Sequence, residues 1–295
     1  MDLIKVPFKE STQTDYLYNE ETFSENSDWV KIVDLFNKNF LNKEVSTNKI
    51  PKIIHQIWLG SEFPQAYKEW QSSWLKYNPG WEYLLWTEKE ANEFEFDNKE
   101  IYNQTTNFGA KSDILRYAIL KKYGGMYIDT DFECLHNFDS LHSICDFYTG
   151  LIYSKEPYLG NGIIGCIPNH PIMDALCTSL SSSINEQTKI NILNNSGPGK
   201  FTACVFANAF DENYINIIFP VTYFYPFPNN KLHIQNPKKK KKYYKKETLA
   251  VHHWEVSWTK TSPFKKITSK ILRYIPPQVK NKIKIKLKKI FQALS

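Results

Sequence analysis

No stretch of the 295 residues approaches the roughly 20 consecutive apolar positions that a membrane-spanning helix needs. The start, Met1-Asp2-Leu3-Ile4-Lys5-Val6-Pro7, has no apolar core of the kind a secretory leader carries, so no leader is expected here. Cysteine is sparse. Cys134, Cys145, Cys166, Cys177 and Cys204 are an odd number with no C-x-x-C pair, which argues against a disulfide framework or a zinc knuckle and fits a reducing compartment. There is no internal repeat. What is present is a globular composition: 42% hydrophobic and 23% charged residues, enough for a real core. Aromatics reach 15%, which suits a chain that binds rings or lies against a membrane surface.

Charge is unevenly placed. Residues 238–295 hold 18 Lys/Arg against two acids, whereas the rest holds 19 basic and 29 acidic residues. An acidic body with a basic tail predicts an anionic partner surface, either lipid or nucleic acid. The run from Lys238 to Lys242 also reads as an ordinary solvated loop. Further on, Phe264, Ile267, Ile271 and Ile275 recur at helical spacing. After Pro276-Pro277 so do Ile283, Leu287, Ile290, Phe291 and Leu294, with lysines between them. The spacing predicts two short basic amphipathic helices of the interfacial type. Lys282 to Lys286 alternates strictly and fits a strand as well, and a helix packed on its own domain leaves the same stripe. No nucleic-acid module accompanies the tract, so an anionic membrane surface is the expected partner and nucleic acid is not.

Along the chain, a helix is expected from Trp29 to Phe40, with Trp29, Ile32, Val33, Phe36 and Phe40 on one face. Lys52-Ile53-Ile54-His55-Gln56-Ile57-Trp58-Leu59-Gly60 reads as a buried first strand, Gln65 to Tyr77 as a helix, and Trp81 to Trp86 as a second strand. Ala110 to Tyr123 is helical by pattern and stops at Gly124-Gly125. Met126-Tyr127-Ile128-Asp129 is a short strand. Strand, helix and strand in short alternation predict an α/β fold with a mostly parallel sheet flanked by helices. Ligands of such sheets bind at the carboxyl ends of the strands, where Asp129 and Asp131 fall.

The central signal is Gly124-Gly125-Met126-Tyr127-Ile128-Asp129-Thr130-Asp131. Carboxylates at i and i+2 on an extended chain share a side and can approach one divalent ion, Mn²⁺ or Mg²⁺. Upstream, Asp113 and Arg116 are neighbours on one helix face. They make either a structural ion pair or a pair that holds a sugar hydroxyl and a diphosphate.

Three segments, "IPKIIHQIWLG", "GAKSDILRYAILKKYGGMYIDTD" and "VHHWEVSW", carry a resemblance to the DXD sugar-binding glycosyltransferases of family 32, in order from about residue 50 to 260. The resemblance implies a GT-A fold with a Rossmann-like sheet, a nucleotide-sugar donor (a UDP-sugar by weight of relatives), a divalent metal and retention of anomeric configuration. It implies stacking of Trp58 on the donor base, and binding of the donor sugar by Asp113 with Arg116 as its partner. Tyr127 would lie near ribose and sugar. Asp129 would contact ribose and metal, and Asp131 the metal directly. Asn161, in Gly160-Asn161-Gly162, would face the sugar, and Ser196-Gly197-Pro198-Gly199 is a loop near the acceptor or an ordinary turn. One histidine of His252-His253 would complete the metal shell or touch the diphosphate. The two point oppositely on an extended chain, and His253 is preferred over His252. Ser257 and Trp258 match a loop that closes over the diphosphate, although Val256 stands where a glycine usually precedes them.

The expected organisation is a helical lead-in over 1–48, a GT-A domain over 49–260 and the basic tail over 261–295. The expected activity is metal-dependent transfer of a sugar to the hydroxyl of a glycan or glycolipid. Its expected place is bacterial surface polysaccharide or lipopolysaccharide synthesis, cytoplasmic and peripheral on the inner membrane face. A secreted effector that glycosylates a host protein is the alternative. A non-catalytic sugar-nucleotide-binding module and a two-metal phosphohydrolase are the competing classes, the latter lacking a further carboxylate or histidine cluster.

Overall fold

A computed structural model describes residues 3–12, 27–42, 49–180, 189–232, 234, 236–255 and 279. Its strands are β1 (Ile53–Ile57), β2 (Glu82–Trp86), β3 (Gly125–Ile128), β4 (Phe132–Cys134), β5 (Phe147–Leu151), β6 (Leu159–Cys166), β7 (Asn216–Phe219) and β8 (Ala250–His252). Six of them form one sheet in the order β2-β1-β3-β6-β5-β7, and β4 pairs with β8 in a small second sheet. Pairings β1–β2, β1–β3 and β5–β7 are parallel, and only β6 runs against its neighbours β3 and β5. The expected mostly parallel sheet is therefore present, with one reversed strand near its centre. The reversal matters for the site. It brings the start of β6 to the edge where β3 ends, with Ile128 opposite Ile163.

Strands β3, β5 and β6 are buried along their whole length, which is why they read as apolar runs rather than alternations. Strand β1 ends at Ile57, earlier than the sequence suggests. Trp58 still donates its amide to Trp86 O at 2.9 Å, but Gly60 turns away at φ 91°. The helix Phe108–Tyr123 opens on Asn107, whose side chain accepts from the Gly109 and Ala110 amides. It packs between the sheet and the helix Pro171–Ser179, so Asp113 through Leu120 are all buried. At its end Gly124 and Gly125 have φ of 62° and 87°, and a Cβ on Gly125 would stand 2.7 Å from Ile53 O. Only glycine allows both that backbone and that approach of β3 to β1.

The N-terminal helix, Ser27–Phe36, continues into a π-turn at Asn37–Leu41. The wider turn places Asn39 so that its amide donates to Asn216 O at 2.8 Å, and sets Phe40 against Phe219 with ring centroids 4.9 Å apart. Trp29, Ile32, Phe36 and Phe40 belong to the same core as the sheet. No described helix is long and apolar enough to cross a membrane. The two amphipathic helices expected in the tail, over residues 264–275 and 283–294, lie outside the described residues.

Candidate functional site

Asp129 and Asp131 share a direction, but not because the chain is extended. Asp129 is the first residue past β3. Its amide donates to Gly162 O at 2.8 Å, and Phe132 N donates back to Asp129 O at 3.1 Å. Residues 129–132 thus make a turn into β4. Strand β8 lies beside β4 with His252 opposite Phe132. That register delivers His252 Nε2 to 3.2 Å from Asp131 Oδ1 and 3.8 Å from Asp129 Oδ2. The other Asp131 oxygen accepts from the Glu255 amide at 2.6 Å.

His253, the histidine preferred from the sequence, does not face the two aspartates. Neighbouring residues on a strand face opposite ways. With His252 turned to the carboxylates, His253 turns outward, bonds Glu133 Oε2 at 3.0 Å and stacks on Trp70 at 4.4 Å. His252, the alternative, is the one that joins the aspartates.

A second cluster adjoins the first. Arg116 Nη2 lies 3.2 Å from Asp113 Oδ1 and its Nη1 3.3 Å from Asp129 Oδ1. Nη1 also donates to Asn161 O at 2.5 Å, and Nε to Ser112 O at 3.3 Å. The guanidinium lies over the Tyr127 ring at 4.3 Å, and Tyr127 OH donates to Asp129 Oδ1 at 2.8 Å. Asn161 donates its amide to Asp113 Oδ1 at 2.9 Å, and Ser196 Oγ donates to Asp113 Oδ2 at 2.9 Å. Arg116 is therefore engaged on several sides by the protein itself. It is a bracket between the two clusters more than a free fork for a diphosphate.

Burial sets the charges apart. It pushes the Asp113 carboxyl up to about 6 against the pull of Arg116, Ser196 and Asn161. On Asp129 the same burial is outweighed by Arg116 and His252, which hold its carboxyl below the ordinary range. Burial alone would lower the His252 imidazole. Asp131 and Asp129 outweigh it and raise it to about 9. The pocket is thus built to stabilise positive charge, whether a proton on His252 or a divalent ion.

The residues fit such an ion. Ligand atoms of Asp129, Asp131 and His252 lie within 4.8 Å of one another. Two carboxylates and an imidazole suit Mn²⁺ somewhat better than Mg²⁺, which prefers oxygen alone. Both clusters open into a cleft of about 780 Å³, and Trp58, Tyr127 and Asn161 line it too. Trp58 is held edge-on by Tyr67 at 5.5 Å and by its Nε1, which donates to Glu62 O at 3.0 Å. Ser257 and Trp258 lie outside the described residues.

Some contributors carry no sequence signal. The Glu255 amide is a backbone donor, which any residue supplies. Gly162 faces Asp129, and a Cβ there would lie 2.7 Å from Asp129 Oδ2. The Ser196-Gly197-Pro198-Gly199 turn was legible as a turn, but not that Ser196 reaches Asp113 or that Ser196 O accepts from Tyr117 OH at 2.7 Å.

Residues 64–148 match the family described as "Glycosyltransferase sugar-binding region containing DXD motif". The chain is 34% identical over 139 residues to inositol phosphoceramide mannosyltransferase 2 of Schizosaccharomyces pombe, across 45% of this chain and 39% of that protein. It is also 34% identical over 161 residues to an uncharacterized glycosyltransferase of Acanthamoeba polyphaga mimivirus, across 52% of this chain and 63% of that one. The chain thus spans less than two thirds of either relative. Among solved structures, the catalytic domain of alpha-toxin from Clostridium novyi superposes with a TM-score of 0.47 at 11% identity, over 90% of this chain and 94% of that one.

Proposed function

We propose that this chain, whose residues 64–148 belong to the DXD-containing sugar-binding region of glycosyltransferases, moves a sugar from a nucleoside-diphosphate donor to an acceptor hydroxyl. The observation that carries the reading is the convergence of Asp129, Asp131 and His252 beside the Asp113–Arg116 cluster in one cleft. A divalent ion held by Asp129, Asp131 and His252 would supply charge neutralisation for the departing diphosphate. The chain's own residues then divide the remaining work. Arg116 fixes the spacing between Asp113 and Asp129. Asp113, oriented by Ser196 and Asn161, offers a carboxylate edge to donor sugar hydroxyls. Tyr127 holds Asp129 from below, and Trp58 offers a ring to the base. Burial of Asp113, Arg116, Tyr127 and Asn161 lets their interactions act at low dielectric, without reorganisation during transfer. Front-face attack with retention is the reading that the family resemblance favours.

The acceptor is proposed to be a lipid-borne hydroxyl. The mannosyltransferase relative acts, by its name, on inositol phosphoceramide. Extension of a lipid-linked surface glycan is the same class of reaction. The test is nucleotide release from a panel of UDP- and GDP-sugars with Mn²⁺ or EDTA, wild type beside Asp131→Asn. Slow release from one donor, dependent on metal and lost in the variant, is expected. Absence of both metal-dependent release and metal-dependent donor binding by calorimetry overturns the proposal.

A further inference from the structure

The geometry points to the lysine ridge between residues 231 and 246 as a docking face for a bilayer that contains anionic lipid, one that sets the mouth of the cleft against the headgroups. This deepens the reading above by naming where a lipid-borne acceptor is met. The binding itself does not depend on that reading. Residues 231–246 contain eight lysines and no acid. The helix Pro237–Lys241 is capped by Asn236, whose side chain accepts from Lys238 N at 2.9 Å, and it projects part of the row. Lys238, Lys239, Lys241, Lys242, Lys245 and Lys246 are exposed, and among the described residues none of them forms an ion pair. Solvated lysines of an ordinary surface usually alternate with acids. A one-sign field of this density raises the local concentration of an anionic surface.

The ridge is concave and is tied to the cleft. Ile234, Lys239, Lys242, Tyr243 and Lys245 line a shallow cavity of about 320 Å³. Behind it, Tyr243 packs edge-on against Phe227 at 5.3 Å, and Lys240 lies 5.4 Å over the Phe227 ring. Phe227 O accepts from Trp254 Nε1 at 2.7 Å, and Trp254, Asn229 and Leu232 line the cleft. Phe227 therefore links the lysine-lined cavity to Trp254 of the cleft wall. The chemistry fits lipid phosphate better than nucleic acid. The cations are lysines, which act as point charges, and Tyr243 is packed against Phe227 rather than presented for base stacking.

The test is co-sedimentation of the full chain with phosphatidylcholine vesicles, with and without about one third phosphatidylserine, and with poly(U) as a competitor. The quadruple variant K238E/K239E/K241E/K242E runs in parallel, with its thermal melt and its vesicle-free donor release as controls for folding and for the cleft. At about 1 kcal/mol per lysine near an anionic surface, reversal of four charges should weaken binding to anionic vesicles by about 1,000-fold or more. Wild-type binding should need the anionic lipid and fall as salt is raised. Equal binding of variant and wild type, or no preference for anionic vesicles, overturns the assignment. So does poly(U) binding that is tighter than vesicle binding and is lost in the variant. Failure of donor release in both proteins would count against the glycosyltransferase reading and leave the vesicle result standing.

Discussion

Among the described residues, four buried histidines mark two kinds of polar interior. In the scaffold, His55 Nε2 lies 3.0 Å from Gly124 O and its Nδ1 accepts from Trp86 Nε1. His142 lies between Pro51 O and Tyr148 OH, both at 3.0 Å. His170 lies 3.0 Å from Asn216 Oδ1 and accepts the Ile172 amide. Each has both ring nitrogens matched to neutral partners. Burial lowers them to about 4, 3 and 4 respectively. In the cleft, His252 faces two carboxylates, is raised to about 9, and leaves its buried Nδ1 with no hydrogen-bond partner. Burial is common to both settings. The partners distinguish a histidine that fastens the fold from one arranged around a charge.

The sharpest way to break this comparison is acid. A histidine that is neutral when folded and ordinary when unfolded binds more protons in the unfolded state at low pH. Stability is therefore intact above about pH 6.5 and falls as pH drops toward 4. His55, His142 and His170 should each cost about 3 kcal/mol by pH 4, read as a falling urea midpoint. His252 cannot contribute with that sign, because its shift is upward. A urea midpoint that holds steady from pH 6.5 to 4 would contradict the neutral assignment. The next largest effect is His252→Ala, expected to lower metal-dependent donor release about 100-fold with little change in melting temperature. His142→Ala should do the reverse, lowering the melt through an unpaired Tyr148 while the folded fraction keeps its turnover. Gly162→Ala should weaken Mn²⁺ binding about tenfold, as the new methyl displaces the Asp129 carboxylate; titration calorimetry reads it. Smallest is Ser196→Ala. Loss of one donor to Asp113 should raise the donor KM a few-fold, about 1 kcal/mol, and Ser196→Thr should recover part of it.

What was legible in the sequence followed from local chemistry. The break at Gly124-Gly125, the helix before it and the strand after it are written in residue types, and so is the D-x-D pair. His252 and His253 could not be told apart until β8 was seen beside β4, because the choice depends on which face the partner strand presents. Even the shared direction of Asp129 and Asp131 comes from a turn rather than from the extended chain that their spacing suggested. Ser196 reaches Asp113 from far along the chain, and Gly162 reaches Asp129 only because β6 runs in reverse. Long-range registers of this kind leave no periodic trace.

The three residue pairs that join β4 to β8 carry a consequence for heat and time. Asp129 and Asp113 are rooted in the six-stranded sheet and its longest helix, the portion that should open only with the whole domain. His252 ends a two-strand ribbon just three residues long. The cleft thus joins groups held by a six-stranded sheet to one held by a two-stranded sheet, and its working lifetime should be set by the smaller. Amide exchange at Val251 should outpace exchange at Tyr127, and warming should disperse the Asp129–Asp131–His252 cluster some degrees before the sheet melts.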